Sequence, residues 1–417
     1  MELTPKKKIQ PYIGLVLLIA IIIFGAVKGM KDQFLPLFLM TGVALGYILT
    51  RSRYGFAGGF KRIYVTGEGS LSKALLVMFA ISMFLAAGLQ WSAVQMGIDP
   101  PGLSSLKFLN ISILLGGFLF GIGMILAGGC ASGTLSDVGE GEGRSLIALV
   151  TFVFGSIPGL MAQSALNNSA IGQIGIELYL PDLLGYVGAV LVSYLLLLIL
   201  YIIVRKYEDF RKKEGTYTET VYEDEELPIP DTVPFKLFSY PTFHKLFVQR
   251  WSFMTGGILL AIMFAFILIT ARHSWGVTGP LTTWGIAFLQ MFGVSFTAPV
   301  FQSNVLAANN GILNDPGSLR NIGIILGAAI AFLFAGRWTF NRGFKFKDSL
   351  YYLLGGFLMG FGARLAGGCN IGALFSGIGN FSLSGWGFFF TLWLGSLFAL
   401  KFFAGKVDVL PPSRYKK

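Results

Sequence analysis

Residues Gly116–Leu135 read GGFLFGIGMILAGGCASGTL, and residues Gly355–Leu374 read GGFLMGFGARLAGGCNIGAL. The two stretches match at 13 of 20 positions. Seven matches are glycine, which a chain with 55 glycines inflates. The others are Phe118/Phe357, Leu119/Leu358, Leu126/Leu365, Ala127/Ala366, Cys130/Cys369 and Leu135/Leu374. The chain's 2 cysteines therefore share one repeat position. With one residue inserted, the match continues through Ser136/Ser376, Gly139/Gly379, Thr151/Thr391, Gly155/Gly395 and Ser156/Ser396. Upstream, Met40-Thr41-Gly42 echoes Met254-Thr255-Gly256, and FLAAG at 84–88 echoes FLFAG at 332–336. Self-similarity of this length marks an internal duplication, with units at about 34–163 and 252–404.

Composition sets the medium in which the units fold. The chain is 54% apolar and 13% charged, against about 25% charged in soluble proteins. This excludes a soluble multidomain enzyme and a disordered chain, and predicts an all-α polytopic membrane protein. Apolar runs at about 11–27, 34–50, 73–91, 108–127, 146–163, 182–204, 252–271, 320–336, 350–366 and 385–404 predict about ten spans. A further run, 284–300, ends in Phe296-Thr297-Ala298-Pro299 and reads as re-entrant. Lys6, Lys7 and Lys8 precede an apolar run that reads as an anchor, not a cleaved signal. The chain divides into 1–33 (tail and first span), 34–204 (first repeat plus an extra span), 205–250 (a charged linker without catalytic content) and 251–417 (second repeat).

The net charge of +11 follows topology. With both termini and the linker on the cytoplasmic side of a plasma membrane, 26 of 32 Lys/Arg are cytoplasmic, as the positive-inside bias requires. Lys28, Lys31, Lys107, Arg272 and Arg320 fall outside, and Arg364 falls within a span. Trp91, Trp251 and Trp338 sit at span ends as interface anchors. In this topology the units begin on opposite sides and are inverted repeats, the arrangement of secondary transporters and some channels. Nucleic acid is not an expected partner. With two cysteines, two histidines and no HExxH motif, no metal, cofactor or disulfide framework is expected either.

Gly128-Gly129 and Gly367-Gly368 predict helix breaks, with short second helices starting at Cys130 and Cys369. Broken backbone at membrane depth belongs against protein or a water-filled path, and the N–H groups of a helix start attract anions. An ordinary thiol has a pKa of about 8.5 and stays neutral in apolar surroundings. A neutral, polarizable S–H suits a soft sulfur-bearing anion and holds it weakly enough to pass. The competing reading has the glycines serving only helix packing and the cysteines acting as small hydrophobes. The absence of Asp and Glu from mid-span favours a channel-like or facilitated path.

The paired GGC(A/N)xGxL elements in a duplicated, Gly-rich membrane chain resemble the YeeE/YedE family of sulfur-transport proteins, over most of the sequence apart from the tails and linker. The resemblance implies uptake of thiosulfate, or of related sulfur or selenium compounds, across the bacterial inner membrane. It implies cysteines that relay the ion, which Cys130 and Cys369 match, and a cytoplasmic sulfur-accepting protein is a candidate partner. A family cysteine in an early Arg-Ser-x-Phe-Cys-like stretch has its counterpart here in RSRYGFAGGF, with Gly55 at that position. Residues 52–60 would then line the inner mouth with backbone amides. Arg364, five residues before Cys369 and opposite Ile125 in the repeat, either attracts the anion or forms a salt bridge. Asn370 and Asn380 either donate to an anion or cap helices. Glu140, Glu142 and Arg144 read as a solvated turn, and His273 as interfacial. A membrane sulfurtransferase forming a Cys persulfide is the alternative enzyme reading, although no His lies near either motif to activate a thiol. A structural or redox-sensing component is the third.

Overall fold

The computed structural model describes residues 5–219, 223, 226–229 and 239–408. The cationic tail at Arg414, Lys416 and Lys417 and the middle of the linker lie outside the described residues. The first half runs α1 (Pro5–Gly29), α2 (Phe34–Ser52), α3 (Phe56–Val65), α4 (Ser70–Gln95), α5 (Ile111–Ala127), α6 (Ala131–Glu140), α7 (Gly143–Asn167) and α8 (Leu180–Lys213). The second runs α9 (Tyr240–Phe243), α10 (Phe253–Ala271), α11 (Thr278–Gln290), α12 (Gln302–Asn309), α13 (Pro316–Phe334), α14 (Phe346–Leu365), α15 (Ser376–Gly379) and α16 (Leu383–Phe403). A two-residue ribbon pairs β1 (Leu109–Asn110) antiparallel with β2 (Gly175–Ile176). Local chemistry sets several helix starts. Asn110 caps α5 by accepting from the Ser112 and Ile113 N–H groups, and Asp315 caps α13 with Pro316 at its first position.

Among the described residues, nine helical stretches are long and apolar enough to cross a bilayer. The protein is an all-α multi-pass membrane protein. Helix α14 spans 20 residues but carries Lys347, Asp348 and Arg364. It falls outside those nine, yet it packs in the bundle against both α5 and α7. The 13 residues of α11 rise about 20 Å, short of the roughly 30 Å hydrocarbon core, so residues 284–300 do not cross as one helix. The linker reading needs one correction, because its first residues, 205–213, continue α8.

Contacts fix which segments share a face. Gln10 of α1 bonds Trp338, Trp338 donates to the Gly139 carbonyl, Arg53 pairs with Glu140 and with Glu226 of the linker, and Lys345 pairs with Asp408. The start of α1, the linker and the end of α16 thus lie on one face, here called the linker face. Lys28 meets Asn314, and Arg272 meets the Asp99 carbonyl, on the opposite face. Arg320, counted among the outside cations, lies buried near the start of α13, its Nε donating to Thr41 Oγ1 at 3.3 Å and its guanidinium lying 4.2 Å from the Phe38 ring centroid.

The repeats interlock through reciprocal contacts. A Cβ on Gly116 would lie 2.5 Å from the Ala366 nitrogen, and one on the repeat mate Gly355 would lie 2.6 Å from the Ala127 nitrogen. Gly123 abuts Met359 as Gly362 abuts Phe120, each at 2.6 Å. Helices α5 and α14 therefore run antiparallel with backbones touching, as small-residue interfaces in membranes allow. The pattern extends outward. Helix α5 rests on α16 through Gly117 against Phe388 and Thr391, and α14 rests on α7 through Gly356 against Ala148 and Thr151. Helix α2 packs on α13, and α10 packs on α4. These swaps relate the halves by a pseudo-two-fold axis that inverts one against the other.

Candidate functional site

The two central helices break where the glycine pairs predict. Gly128 closes α5 at φ 81°, and Gly367 follows α14 at φ 70°, a left-handed backbone that glycine adopts without a Cβ penalty. Cys130 (φ −85°, ψ 177°) then caps α6. Cys369 (φ −97°, ψ −163°) caps the wide turn Asn370–Phe375 that leads into α15. Phe375 locks that turn among Phe56, Phe79, Phe264 and Trp275. Gly55 opens α3 beside Phe56, and a Cβ there would meet nothing within 4 Å.

Both cysteines are free thiols, each 1% exposed. Cys130 Sγ lies 3.4 Å from Ser132 Oγ, and Cys369 Sγ accepts from the Ile371 N–H at 3.4 Å. Two nearby glycines have open space beside them. A Cβ on Gly133 would meet only Cys130 Sγ, at 3.7 Å, and one on its mate Gly372 would meet nothing within 4 Å. Gly368 sits tight against the turn that follows it, a Cβ there lying 2.6 Å from the Ala373 nitrogen, whereas one on Gly129 would make only ordinary contacts with Asp137 and Thr134, each at 3.7 Å. Asn370 is buried, its Nδ2 3.5 Å from Met124 Sδ and its Oδ1 without a partner among the described residues. Asn380 is a structural hub that accepts from Gln90 and donates to Ser274 and the Ser376 carbonyl.

On the face opposite the linker, a cavity of about 570 Å³ is lined by Lys107, Asn110, Ser112, Gln163, Asn167 and Gly367, among others. Gly367 lines it, two residues before the buried Cys369. Lys107 Nζ donates to the Gly367 carbonyl. Lys107 Nζ and Gln163 Nε2 converge on one point, 3.0 and 3.1 Å from where a Cβ on Gly367 would lie. Burial, then the neighbouring Arg364, pull the Lys107 pKa down to about 8, against a smaller upward pull from Cys369. Arg364 lies three residues before Gly367 with its Nη1 beside Gly279 of α11, and its buried Nε has no hydrogen-bond partner among the described residues. Neither Lys107 nor Arg364 is in a salt bridge among the described residues, and Glu177 lines the same cavity as Lys107. Lys107 had one sequence signal, its place among the few cations assigned outside.

The linker face differs. Arg53 pairs with Glu140 at 3.0 Å and with Glu226 at 3.1 Å. Arg337 pairs with Glu226 at 2.5 Å and with Glu223. Arg144 pairs with Asp137 and Glu142, each at 3.3 Å. The expected solvated turn is corrected here. Glu140 is 9% exposed, because α6 carries it back against α2 and its Arg53. No group of three or more His, Cys, Asp or Glu side chains suited to a metal occurs among the described residues.

Known proteins resemble this chain in sequence. The sequence model of a family described as sulphur transport matches residues 51–398. The thiosulfate transporter TsuA of Escherichia coli strain K12 is 28% identical over 338 residues, covering 80% of this chain and 84% of its own. TsuA of Spirochaeta thermophila is 27% identical over 364 residues, covering 84% and 92%. The probable transporter YedE of Escherichia coli strain K12 is 28% identical over 130 residues, covering 31% and 30%. With the family match spanning most of the duplicated core, this multi-pass chain belongs to the sulphur-transport family.

Proposed function

We propose that the protein carries a small sulfur-containing anion, thiosulfate first among candidates, across a plasma membrane, with the linker face cytoplasmic. The supporting observation is the pair of free thiols at the two helix restarts, buried between interlocked halves, with a polar cavity that reaches Gly367, two residues before Cys369. In the described conformation both thiols are closed off by protein. Passage therefore requires the breaks at Gly128-Gly129 and Gly367-Gly368 to yield locally. Each neutral S–H offers a weak, soft hydrogen bond to the sulfur end of the anion, and the room beside Gly133 and Gly372 admits it one thiol at a time. Weak holding at successive sites favours conduction over trapping.

Uptake of labelled thiosulfate into proteoliposomes tests this reading. Cys130→Ala and Cys369→Ala are each expected to abolish uptake, with Cys→Ser retaining a small part of it. Unchanged flux in both alanine variants rejects the thiol path. A persulfide mass shift on either cysteine, without flux, supports the sulfurtransferase reading instead. Flux of selenium-containing or other reduced sulfur anions in preference to thiosulfate would reassign the substrate but keep the path.

A further inference from the structure

We propose that the slot enclosed by α3, α4, α8 and α16 is a lipid site, in which one acyl chain of a phospholipid from the linker-face leaflet reaches the turn that Cys369 caps. The inference is independent of which ion the protein carries. The slot holds about 630 Å³. Helix α8 rests on α4, and α16 rests on α3, with the slot between the two pairs. Ile203 of α8 and Phe390 and Trp393 of α16 line it and are 56%, 56% and 40% exposed. Its opening therefore belongs to the lipid-facing surface of the bundle. Phe56, Phe79 and Leu374 line its other end and are buried, so the slot passes inward beyond the outer ring of helices.

The walls select the occupant. No charged side chain lines the slot. Three of its four hydroxyls already have partners: Ser72 donates to the Gly59 carbonyl, Ser396 donates to the Leu392 carbonyl, and Tyr207 accepts from Arg211. A polar solute or an anion would lose its water there without replacement. An apolar cavity stays dry and takes apolar molecules, and the medium at this opening is hydrocarbon. Direction and length agree with an acyl chain. Thr218 of the linker donates to the Thr66 carbonyl just after α3, so the end lined by Tyr64 and Tyr207 lies toward the linker face. Residues 389–400 of α16 line the slot, a rise of about 17 Å and close to half of the roughly 30 Å hydrocarbon core. One leaflet's chain covers that distance. Phe56 and Phe79 both pack on Phe375, and Leu374 precedes it in the same turn. A chain seated here therefore packs on that turn and props it against the aromatic cluster.

The test reconstitutes the full-length protein in vesicles of phosphatidylethanolamine and phosphatidylglycerol that carry a diazirine within one acyl chain. After illumination, peptide mass spectrometry maps the adducts. In the wild type, adducts are expected on the buried wall residues Phe79 and Leu374 as well as on the exposed face of α8. Leu397→Trp and Ile203→Trp each add bulk at the opening and should lose most of the wall adducts while keeping those on the exposed face. If Leu397→Trp fails to fold, Ile203→Trp decides, because that position is already largely exposed. Adducts confined to exposed residues in the wild type overturn the site, as do wall adducts that persist undiminished in the folded tryptophan variants. Unlabelled walls in a protein that runs as a dimer assign the opening to a second copy and overturn it as well. A second readout follows the prop. Phosphatidylglycerol added to delipidated protein in detergent should raise the unfolding temperature of the wild type and leave that of the tryptophan variants almost unchanged. Equal shifts in all of them count against the site.

Discussion

Around Gly128-Gly129-Cys130, the cations on the linker side are answered by carboxylates: Arg53 by Glu140 and Glu226, Arg144 by Asp137 and Glu142. Around Gly367-Gly368-Cys369, neither Lys107 nor Arg364 is in a salt bridge among the described residues, with Glu177 only at the rim of the Lys107 cavity. The backbone of the two breaks is alike, with a left-handed glycine, an extended cysteine and a restarted helix in each. Duplication thus supplied one scaffold twice, and later substitution gave its ends opposite electrostatic character. Under the proposed function, the open cations form a capture end and the neutralised ones an end that an anion leaves readily.

The largest effect should come from exchanging residues between the mouths. Ile125, the repeat mate of Arg364, is 1% exposed. Ile125→Arg places an unpaired charge in packed core and should cost about 3–5 kcal/mol, seen as a lower unfolding temperature in detergent. Arg364→Ile should fold and lose uptake instead. Equal stability in the two variants would break the contrast. Next in size, Gly116→Val and Gly355→Val press on equivalent backbone and should each cost about 1–3 kcal/mol. Unequal losses would deny the pseudo-two-fold pairing of α5 and α14.

A smaller, pH-dependent difference should appear at one mouth only. Lys107 has its pKa lowered from 10.5 to about 8, and it faces Arg364 and Cys369 in a cavity with Glu177 at its rim. Raising the pH through 8 removes its charge, so half-saturation should rise by up to about tenfold, while Lys107→Arg should be insensitive over the same range. Stability moves the other way. The unfolded chain holds this proton up to the higher pKa, so the protonated lysine opposes folding below pH 8, and that cost fades between pH 8 and 10.5. Parallel rather than opposed changes in uptake and stability would contradict this account. The smallest effect belongs to Gly55→Cys, whose side chain enters open space and should change stability by no more than about 0.5 kcal/mol. A large loss on thermal unfolding would show that glycine is required there.

The break points, the thiols and the inverted plan were legible because duplication writes them twice. Gly116 and Gly355, or Cys130 and Cys369, announce each other. Lys107 has no such echo, and its meaning comes from the Gly367 carbonyl, 260 positions away in the chain. Glu140 looked solvated because charge beside glycine usually is, and only the return of α6 to Arg53 buries it. Asn380 offered donor chemistry in either reading, and tertiary partners on α4 and at Ser274 decided for structure. Period and composition report what a residue's neighbours in sequence allow. They carry no record of pairings made across the bundle.

The crossed seating of α5 on α16 and of α14 on α7 leaves no plane that parts the molecule into two finished bodies. A fragment ending in the linker would present bare glycine grooves to lipid and find nothing to fill them. Two such fragments, encoded separately and made in the same cell, would have to meet while still incomplete. Activity regained only on co-expression, never by mixing separately purified pieces, is the behaviour this knitting demands.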